Sequence, residues 1–152
     1  MELGDTIPDV VVKDETGEIP LRSLVGGWAV IYFYHKDDTS GCTREALDFT
    51  ELARDYEAAG IQVVGISKDS VASHGKFTTK HNLGVRLLSD EDGAACEAFG
   101  TWIEKSMYGR KYMGVDRTTL LIDREGTIAR VWPKVKVPGH VEEVLAAARA
   151  LA

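Results

Sequence analysis

The chain has 152 residues and a formal net charge of −6, with 44% hydrophobic and 28% charged residues. This balance is typical of a globular protein, and the length predicts one domain over residues 1–152. The acidic chain lacks the excess of lysine and arginine that binds phosphates, so we expect no nucleic-acid partner. No apolar run approaches the ~20 residues of a membrane span, and the acidic N-terminus is unlike a signal peptide. We therefore expect a cytoplasmic protein with no membrane partner.

The first half of the chain predicts a strand, a second strand and a long helix. Ile7–Val12 is apolar but interrupted by Pro8, which favours an entry or edge strand. Trp28–Tyr34 is rich in aromatic and β-branched residues and has the length of a buried strand. A polar loop, His35–Gly41, follows, and apolar residues at helical spacing then predict a helix from Cys42 to about Ala59.

The second half continues the alternation and ends in a hairpin and a helix. We predict a strand at Ile61–Ser67, a helix at about Ser70–Asn82, a strand at Leu87–Ser89, a helix at Asp92–Phe99, hairpin strands at Thr118–Asp123 and Thr127–Trp132, and a helix at Gly139–Ala152. The order β-α-β-α-β-α-β-β-α predicts an α/β protein with parallel strands and one antiparallel pair. A central mixed β-sheet flanked by helices on both faces, in a thioredoxin-like fold with an insertion before the hairpin, satisfies this order.

Cys42 has the surroundings of a reactive cysteine, because it follows a polar loop and lies where the helix begins. The first amides of a helix and its dipole both favour a thiolate at that end. One helix terminus supplies at most ~2 kcal/mol. Lowering a thiol pKa by ~2.5 units requires about 3.4 kcal/mol, so the site also needs a cation. The alternative is an inert, buried thiol, which the polar neighbours Asp37–Gly41 disfavour.

The only other cysteine is Cys96, and the two cysteines form no Cys-x-x-Cys pair. Two thiols cannot hold a tetrahedral zinc ion alone, and no phosphate loop, nucleotide fingerprint or haem motif is present, so we expect no metal and no cofactor. The missing Cys-x-x-Cys also argues against a disulfide oxidoreductase of the same fold. A non-catalytic binding or redox-sensing protein stays open.

Residues 32–45, Tyr-Phe-Tyr-His-Lys-Asp-Asp-Thr-Ser-Gly-Cys-Thr-Arg-Glu, closely resemble the active-site segment of the peroxiredoxins. The subgroup is the bacterioferritin comigratory protein, or peroxiredoxin Q, subfamily. The likeness covers nearly the whole chain. It extends to Gly65–Ser70, Leu88–Asp90, Met107–Gly109, Asp116–Thr119 and Lys134–His140.

The resemblance implies an antioxidant, thiol-dependent peroxidase acting on hydrogen peroxide and organic hydroperoxides. Cys42 is similar to the peroxidatic cysteine, whose thiolate attacks the peroxide and becomes a sulfenic acid. Thr39 matches the threonine that holds the peroxide, and Arg117 matches an arginine that would supply the required cation. The amides of Gly41 and Cys42 complete the implied site, and Glu45 would orient Arg117 through an ion pair.

The residues themselves leave simpler roles open for three of these positions. Thr39 could cap the helix, Glu45 could favour the helix dipole, and Arg117 could be a surface residue. Tyr34 and His35 are expected beside the substrate pocket with Gly41 and Glu45.

Two features depart from the family pattern. His35 replaces a proline that rims the pocket; it is either a tolerated substitution or a group that tunes the thiolate or delivers a proton. The two positions where relatives carry a resolving cysteine hold Leu47 and the segment Phe77–Thr79. We therefore expect a one-cysteine mechanism in a monomer, with thioredoxin or glutaredoxin and glutathione as reductant. Cys96 is expected to be inert, and the alternative is an unusual resolving cysteine.

Overall fold

The computed structural model describes residues 1–152 and contains nine strands, five α-helices and one 3-10 helix. The strands are β1 (Val11–Asp14), β2 (Gly17–Pro20), β3 (Trp28–Phe33), β4 (Ile61–Ser67), β5 (Arg86–Ser89), β6 (Trp102–Met107), β7 (Arg110–Val115), β8 (Thr118–Ile122) and β9 (Ile128–Trp132). The helices are α1 (Ser40–Glu51), α2 (Ala53–Ala58), α3 (Val71–His81), α4 (Ala94–Ala98) and α5 (His140–Leu151), and the 3-10 helix is Leu21–Leu24. No helix combines the length and the apolar character that a bilayer span requires.

Seven strands form one mixed sheet in the order β2-β1-β5-β4-β3-β8-β9. Strand β4 pairs in parallel with β3 and β5, whereas β8 pairs antiparallel with β3 and β9. The parallel pairs follow from the crossover helices α1, α2 and α3, and the antiparallel pair β8–β9 from the short turn between them. The predicted mixed sheet is therefore confirmed.

Helices cover both faces of the sheet. Side chains alternate along the buried strand β3, so both of its faces carry apolar residues that must be covered. Val30 and Tyr32 face a core formed with α1, α2, α3 and α5, whereas Ile31 and Phe33 face a core formed with α4 and the 3-10 helix. Each face of β3 thus contributes to a different hydrophobic core. This division separates the two cysteines of the chain, as described below.

The structure differs from the predicted elements at three places. The first strand begins at Val11 rather than Ile7 and pairs with β2, which was not predicted. The insertion is a hairpin, β6–β7, whose mostly exposed side chains gave no alternation to detect. The predicted helix to Ala59 is interrupted at Leu52, where neither glycine nor proline marks the break between α1 and α2.

Candidate active site

The chain brings Cys42 and Arg117 together through the pairing of β3 with β8. Strand β3 ends in a polar loop, and α1 begins at Ser40, so Cys42 lies in its first turn. The antiparallel register places Phe33 opposite Thr118, and Arg117 therefore lies beside the carboxyl end of β3. The pairing of the strands, and not closeness in the sequence, therefore positions Arg117 as the cation that the thiol requires.

Arg117 bridges the thiol and a buried carboxylate. Its Nη2 donates to Sγ of Cys42 at 3.2 Å, and its Nη1 donates to Oε1 of Glu45 at 2.7 Å. Glu45 is three residues after Cys42 and therefore on the same side of α1, and its side chain is fully buried. Burial raises the pKa of Glu45 to about 7, against the opposing effect of the Arg117 guanidinium. The ion pair fixes the guanidinium plane against the sulfur.

Gly41 leaves the space that the guanidinium occupies. A Cβ atom at this position would lie 3.2 Å from Nη2 of Arg117, closer than ordinary van der Waals contact. Any larger residue would push away the nitrogen that contacts the thiol. The glycine before Cys42 therefore has a packing reason in this structure.

Further donors surround the sulfur. The hydroxyl of Thr39 has one hydrogen, which it can give to the carbonyl oxygen of Lys36 at 2.9 Å or to the Cys42 sulfur. Thr39 occupies the N-cap position but makes no side-chain capping bond. The first main-chain bond of the helix runs from the N–H of Thr43 to the carbonyl oxygen of Thr39 at 2.8 Å. The amides of Gly41 and Cys42 precede it and therefore have no acceptor within the helix.

The thiol of Cys42 is acidic in spite of its burial. Burial alone would raise its pKa, but hydrogen bonds from His35, Thr39 and the Lys36 amide, with the charge of Arg117, together lower the pKa to about 6. At neutral pH a thiol with this pKa is about nine-tenths thiolate. The single cation expected from the sequence is thus supplemented by other polar groups around the sulfur.

His35, the residue that departs from the family pattern, lies at the exposed rim of this site. Its Nδ1 is 3.4 Å from Nη2 of Arg117, the same nitrogen that contacts the thiol. His35 is therefore close enough to influence the thiol, and its side chain helps lower the pKa of Cys42 against the effect of burial.

Tyr34 is buried, as its place in the predicted strand suggested, whereas Asp37 lies deeper than expected. Asp37 was expected in a solvated loop, but it is buried and accepts a hydrogen bond from the Tyr34 hydroxyl at 2.6 Å. The Tyr34 hydroxyl is also 3.3 Å from Nδ1 of His74, a residue that the sequence did not indicate as part of the site. Tyr34 and His74 are 40 residues apart in the sequence, so no local sequence pattern predicts their contact.

Cys96 lies on the other side of the sheet. It packs in the core that contains Phe33, whereas Cys42 packs in the core that contains Tyr32. Burial and a hydrogen bond to Asp90 raise the pKa of Cys96 to about 12. The structure therefore does not bring Cys96 to the Cys42 site.

A cysteine thiolate that is stabilised by a guanidinium and a hydroxyl at the start of a helix is a nucleophile that can be oxidised by peroxides. Comparison with known proteins agrees, because residues 3–131 match the AhpC/TSA family. The chain is 48% identical over 146 residues to the putative peroxiredoxin Bcp of Coxiella burnetii, covering 95% of this chain and 97% of that protein. It is 43% identical over 146 residues to peroxiredoxin Bcp of Bacillus subtilis, covering 95% and 93%.

The solved structures agree with these relatives. A structure of Xanthomonas campestris peroxiredoxin Q matches with a TM-score of 0.91 at 44% identity, covering 100% of this chain and 98% of that chain. The chain therefore belongs to the AhpC/TSA family and to its Bcp/peroxiredoxin Q group. It is a peroxiredoxin, an oxidoreductase that reduces peroxides through a thiol, and the predicted thioredoxin-like fold is confirmed.

Proposed function

We propose that Cys42 is the peroxidatic cysteine and that Thr39 and Arg117 complete its catalytic site. The observation that carries this proposal is the 3.2 Å contact between Nη2 of Arg117 and Sγ of Cys42. The thiolate attacks the terminal oxygen of a hydroperoxide, so an S–O bond forms as the O–O bond breaks. The departing oxygen takes a proton to leave as water or an alcohol, and Cys42 becomes a sulfenic acid.

Thr39, Gly41 and Cys42 supply donors to the peroxide in this proposal. The Thr39 hydroxyl donates to the Lys36 carbonyl oxygen in the structure. Because a hydroxyl rotates about its C–O bond, it can turn and donate to the peroxide instead. The amides of Gly41 and Cys42 are free of helical acceptors and face the charge that develops on the oxygens. Arg117 stabilises the thiolate first and the reacting oxygens afterwards, and Glu45 holds Arg117 in place.

The separation of the two thiols supports a one-cysteine mechanism. Cys42 and Cys96 belong to cores on opposite faces of the sheet, and bond formation requires Cα atoms within about 7 Å. An external thiol would attack the sulfenic acid, releasing water and forming a mixed disulfide. A second thiol would then release reduced Cys42 as the external pair becomes a disulfide. Thioredoxin, or glutaredoxin with glutathione, would supply these thiols.

His35 is proposed as a rim residue that tunes the thiolate. Its contact with Arg117 and its effect on the pKa of Cys42 support a role beyond a tolerated substitution. Tyr34 is proposed to support the pocket from below, since its side chain is 1% exposed. Replacing His35 with the proline of the family pattern tests the proposed effect of His35 on the thiolate.

The proposed substrates are hydrogen peroxide and organic hydroperoxides, and the proposed role is antioxidant defence. A structure of the Xanthomonas campestris bacterioferritin comigratory protein was described for alkyl peroxide reduction, and it matches this chain with a TM-score of 0.90 at 43% identity. We further propose one catalytic domain over residues 1–152, acting as a monomer in the cytoplasm.

Intact mass measurement after one equivalent of hydrogen peroxide tests the mechanism. The reduced wild-type protein is expected to gain one oxygen atom, and Cys96→Ser is expected to do the same at the same rate. Loss of two hydrogens instead, abolished by Cys96→Ser, would show that Cys96 resolves Cys42. Cys42→Ser is expected to lose the rapid reaction; peroxide consumption at the wild-type rate by this variant would refute the assignment of Cys42.

A further inference from the structure

A buried cluster of polar side chains lies against the loop of residues 35–39, which we term the active-site loop. Asp37 is at its centre and accepts hydrogen bonds from the Tyr34 hydroxyl at 2.6 Å and the Ser73 hydroxyl at 2.7 Å. Oδ2 of Asp37 is also 2.8 Å from Nδ1 of His74. Tyr34 directly follows β3, whereas Ser73 and His74 are in α3. The cluster thus joins the active-site loop to a different helix from the one that carries Cys42.

Both ring nitrogens of His74 contact other groups of the protein. Its Nδ1 faces Asp37, and its Nε2 is 3.1 Å from the carbonyl oxygen of Leu88, so both ring nitrogens face acceptors. The side chains of His74 and Asp37 are 6% and 4% exposed. Asp37, Asp69 and His74 place ligand-type atoms within 4.8 Å of one another, but both ring nitrogens of His74 already contact protein oxygens.

The main chain of the active-site loop is held as well. The N–H of Asp37 donates to Oδ2 of Asp69 at 2.9 Å, and the Ser67 hydroxyl donates to the same oxygen at 2.6 Å. Ser67 is the last residue of β4, so the rigid sheet positions Asp69 and, through it, the loop. Asp38, the next residue, has a φ of 60°, a conformation that L-residues other than asparagine and aspartate rarely adopt. Asp38 is an aspartate and tolerates this conformation, and its carboxylate contacts Lys80 and His81 of α3.

We propose that His74 and Asp37 are positioning residues for the peroxidase reaction, holding the active-site loop so that its donors stay within reach of the Cys42 sulfur. This inference rests on the proposed role of Cys42. The loop carries His35, the Lys36 amide and Thr39, which are the groups that stabilise the thiolate besides Arg117. Neither His74 nor Asp37 needs to touch the peroxide. A misplacement of about 1 Å at a reacting group can cost roughly a hundredfold in rate.

The test is the His74→Gln variant, compared with a control that loosens the same part of the fold. Leu83→Ala shortens a buried apolar side chain just after α3 and removes no group that makes a polar contact with the loop. The second-order rate constant for hydrogen peroxide and the pKa of the Cys42 thiol are measured at a temperature where both variants are folded. We expect His74→Gln to lose at least about tenfold in rate and to raise the thiol pKa, while Leu83→Ala stays within about twofold of wild type.

Two outcomes would overturn the proposal. One is a His74→Gln variant whose rate and thiol pKa equal those of the wild type. The other is an equal loss in Leu83→Ala, which would show that general loosening is responsible. A wild-type protein that does not react through Cys42 would instead refute the proposed function, so the two failures are distinguishable.

Smaller variants keep the proposal testable if His74→Gln does not fold. Tyr34→Phe removes one hydroxyl that donates to Asp37 and should slow the reaction in the same direction. Asp37→Asn combined with His74→Gln should react no more slowly than the slower single variant, because one contact is lost in all three. Rate losses that multiply in the double variant, or a Tyr34→Phe protein with unchanged rate and thiol pKa, would contradict a positioning unit.

Discussion

The two cysteines of this chain occupy equally buried positions with opposite chemistry. Cys42 is 1% exposed and Cys96 is 0% exposed, yet the thiol pKa is lowered to about 6 at Cys42 and raised to about 12 at Cys96. Burial raises the pKa at both sites. Cys42 is surrounded by donors and faces the guanidinium of Arg117, whereas Cys96 faces the carboxylate of Asp90. The comparison teaches that the neighbours of a buried thiol, and not its exposure, decide whether it reacts.

The largest expected effect comes from removing the cation beside Cys42. Arg117→Met should raise the thiol pKa and slow the reaction with hydrogen peroxide by about a hundredfold or more, because an electrostatic donor to the reacting atoms is lost. Stopped-flow kinetics with the variant gives the rate. The substitution also strands the buried Glu45, so Arg117→Met/Glu45→Gln serves as the control that removes this buried charge. A thiol pKa equal to that of the wild type in both proteins would refute the role of Arg117.

A smaller effect is expected at the rim. His35→Pro restores the family pattern and removes the imidazole that contacts Arg117 and helps lower the pKa of Cys42, so the thiol pKa should rise. At pH 6 to 7 the reaction should slow several-fold, roughly in proportion to the lost thiolate, and the deficit should shrink as the pH rises. A pH profile of the rate constant measures this. An unchanged profile would mean that His35 is a tolerated substitution.

Gly41→Ala should cost less than either change. Its Cβ would lie 3.2 Å from Nη2 of Arg117, so the guanidinium must move by a few tenths of an ångström. We expect a loss of about twofold to tenfold in the rate constant, with little effect on thermal stability. Gly75→Ala is a matched control, because Gly75 is also in a helix and a Cβ there meets nothing within 4 Å. Equal rates for the two variants would show that Arg117 is not held closely at Gly41.

The smallest effect is on the pH dependence of stability, and it differs between the cysteines. The unfolded chain has thiol pKa values of about 8.5, above that of folded Cys42. Between about pH 6 and pH 8.5 the unfolded state therefore holds more protons at Cys42, so its contribution to stability rises with pH and is lost as pH falls through about 6. The free energy of unfolding of wild type relative to Cys42→Ser should increase over this window. Cys96→Ser should show no such trend there; a flat difference for Cys42→Ser would contradict the low pKa.

Much of the fold and the identity of Cys42 could be predicted from the sequence. Buried strands such as Ile61–Ser67 carry a continuous apolar signal, and Cys42 follows a polar loop at a helix start. The convergence of Arg117 on the thiol came from family resemblance, because only the β3–β8 register brings residue 117 beside residue 42. The hairpin β6–β7 was missed because its strands are exposed on both faces.

The contacts of Asp37 and His74 could not be predicted for a different reason. The polar residues at positions 37–41 are typical of a solvated loop, and nothing in this segment indicates that Asp37 is buried. Burial of a carboxylate is favourable only when donors meet it, and these donors come from Ser73 and His74 on α3. Because that pairing depends on tertiary packing, periodicity and local motifs do not reveal it.

Parallel titration of the two thiols tests the contrast between Cys42 and Cys96 most directly. The rate of alkylation at each cysteine is followed by peptide mass across a pH series in the native protein. Cys42 should react with a half-maximal rate near pH 6, while Cys96 stays unmodified until the protein is unfolded. Alkylation of Cys42 that begins only near the ordinary thiol pKa of about 8.5 would contradict the stabilised thiolate on which the peroxidase site depends.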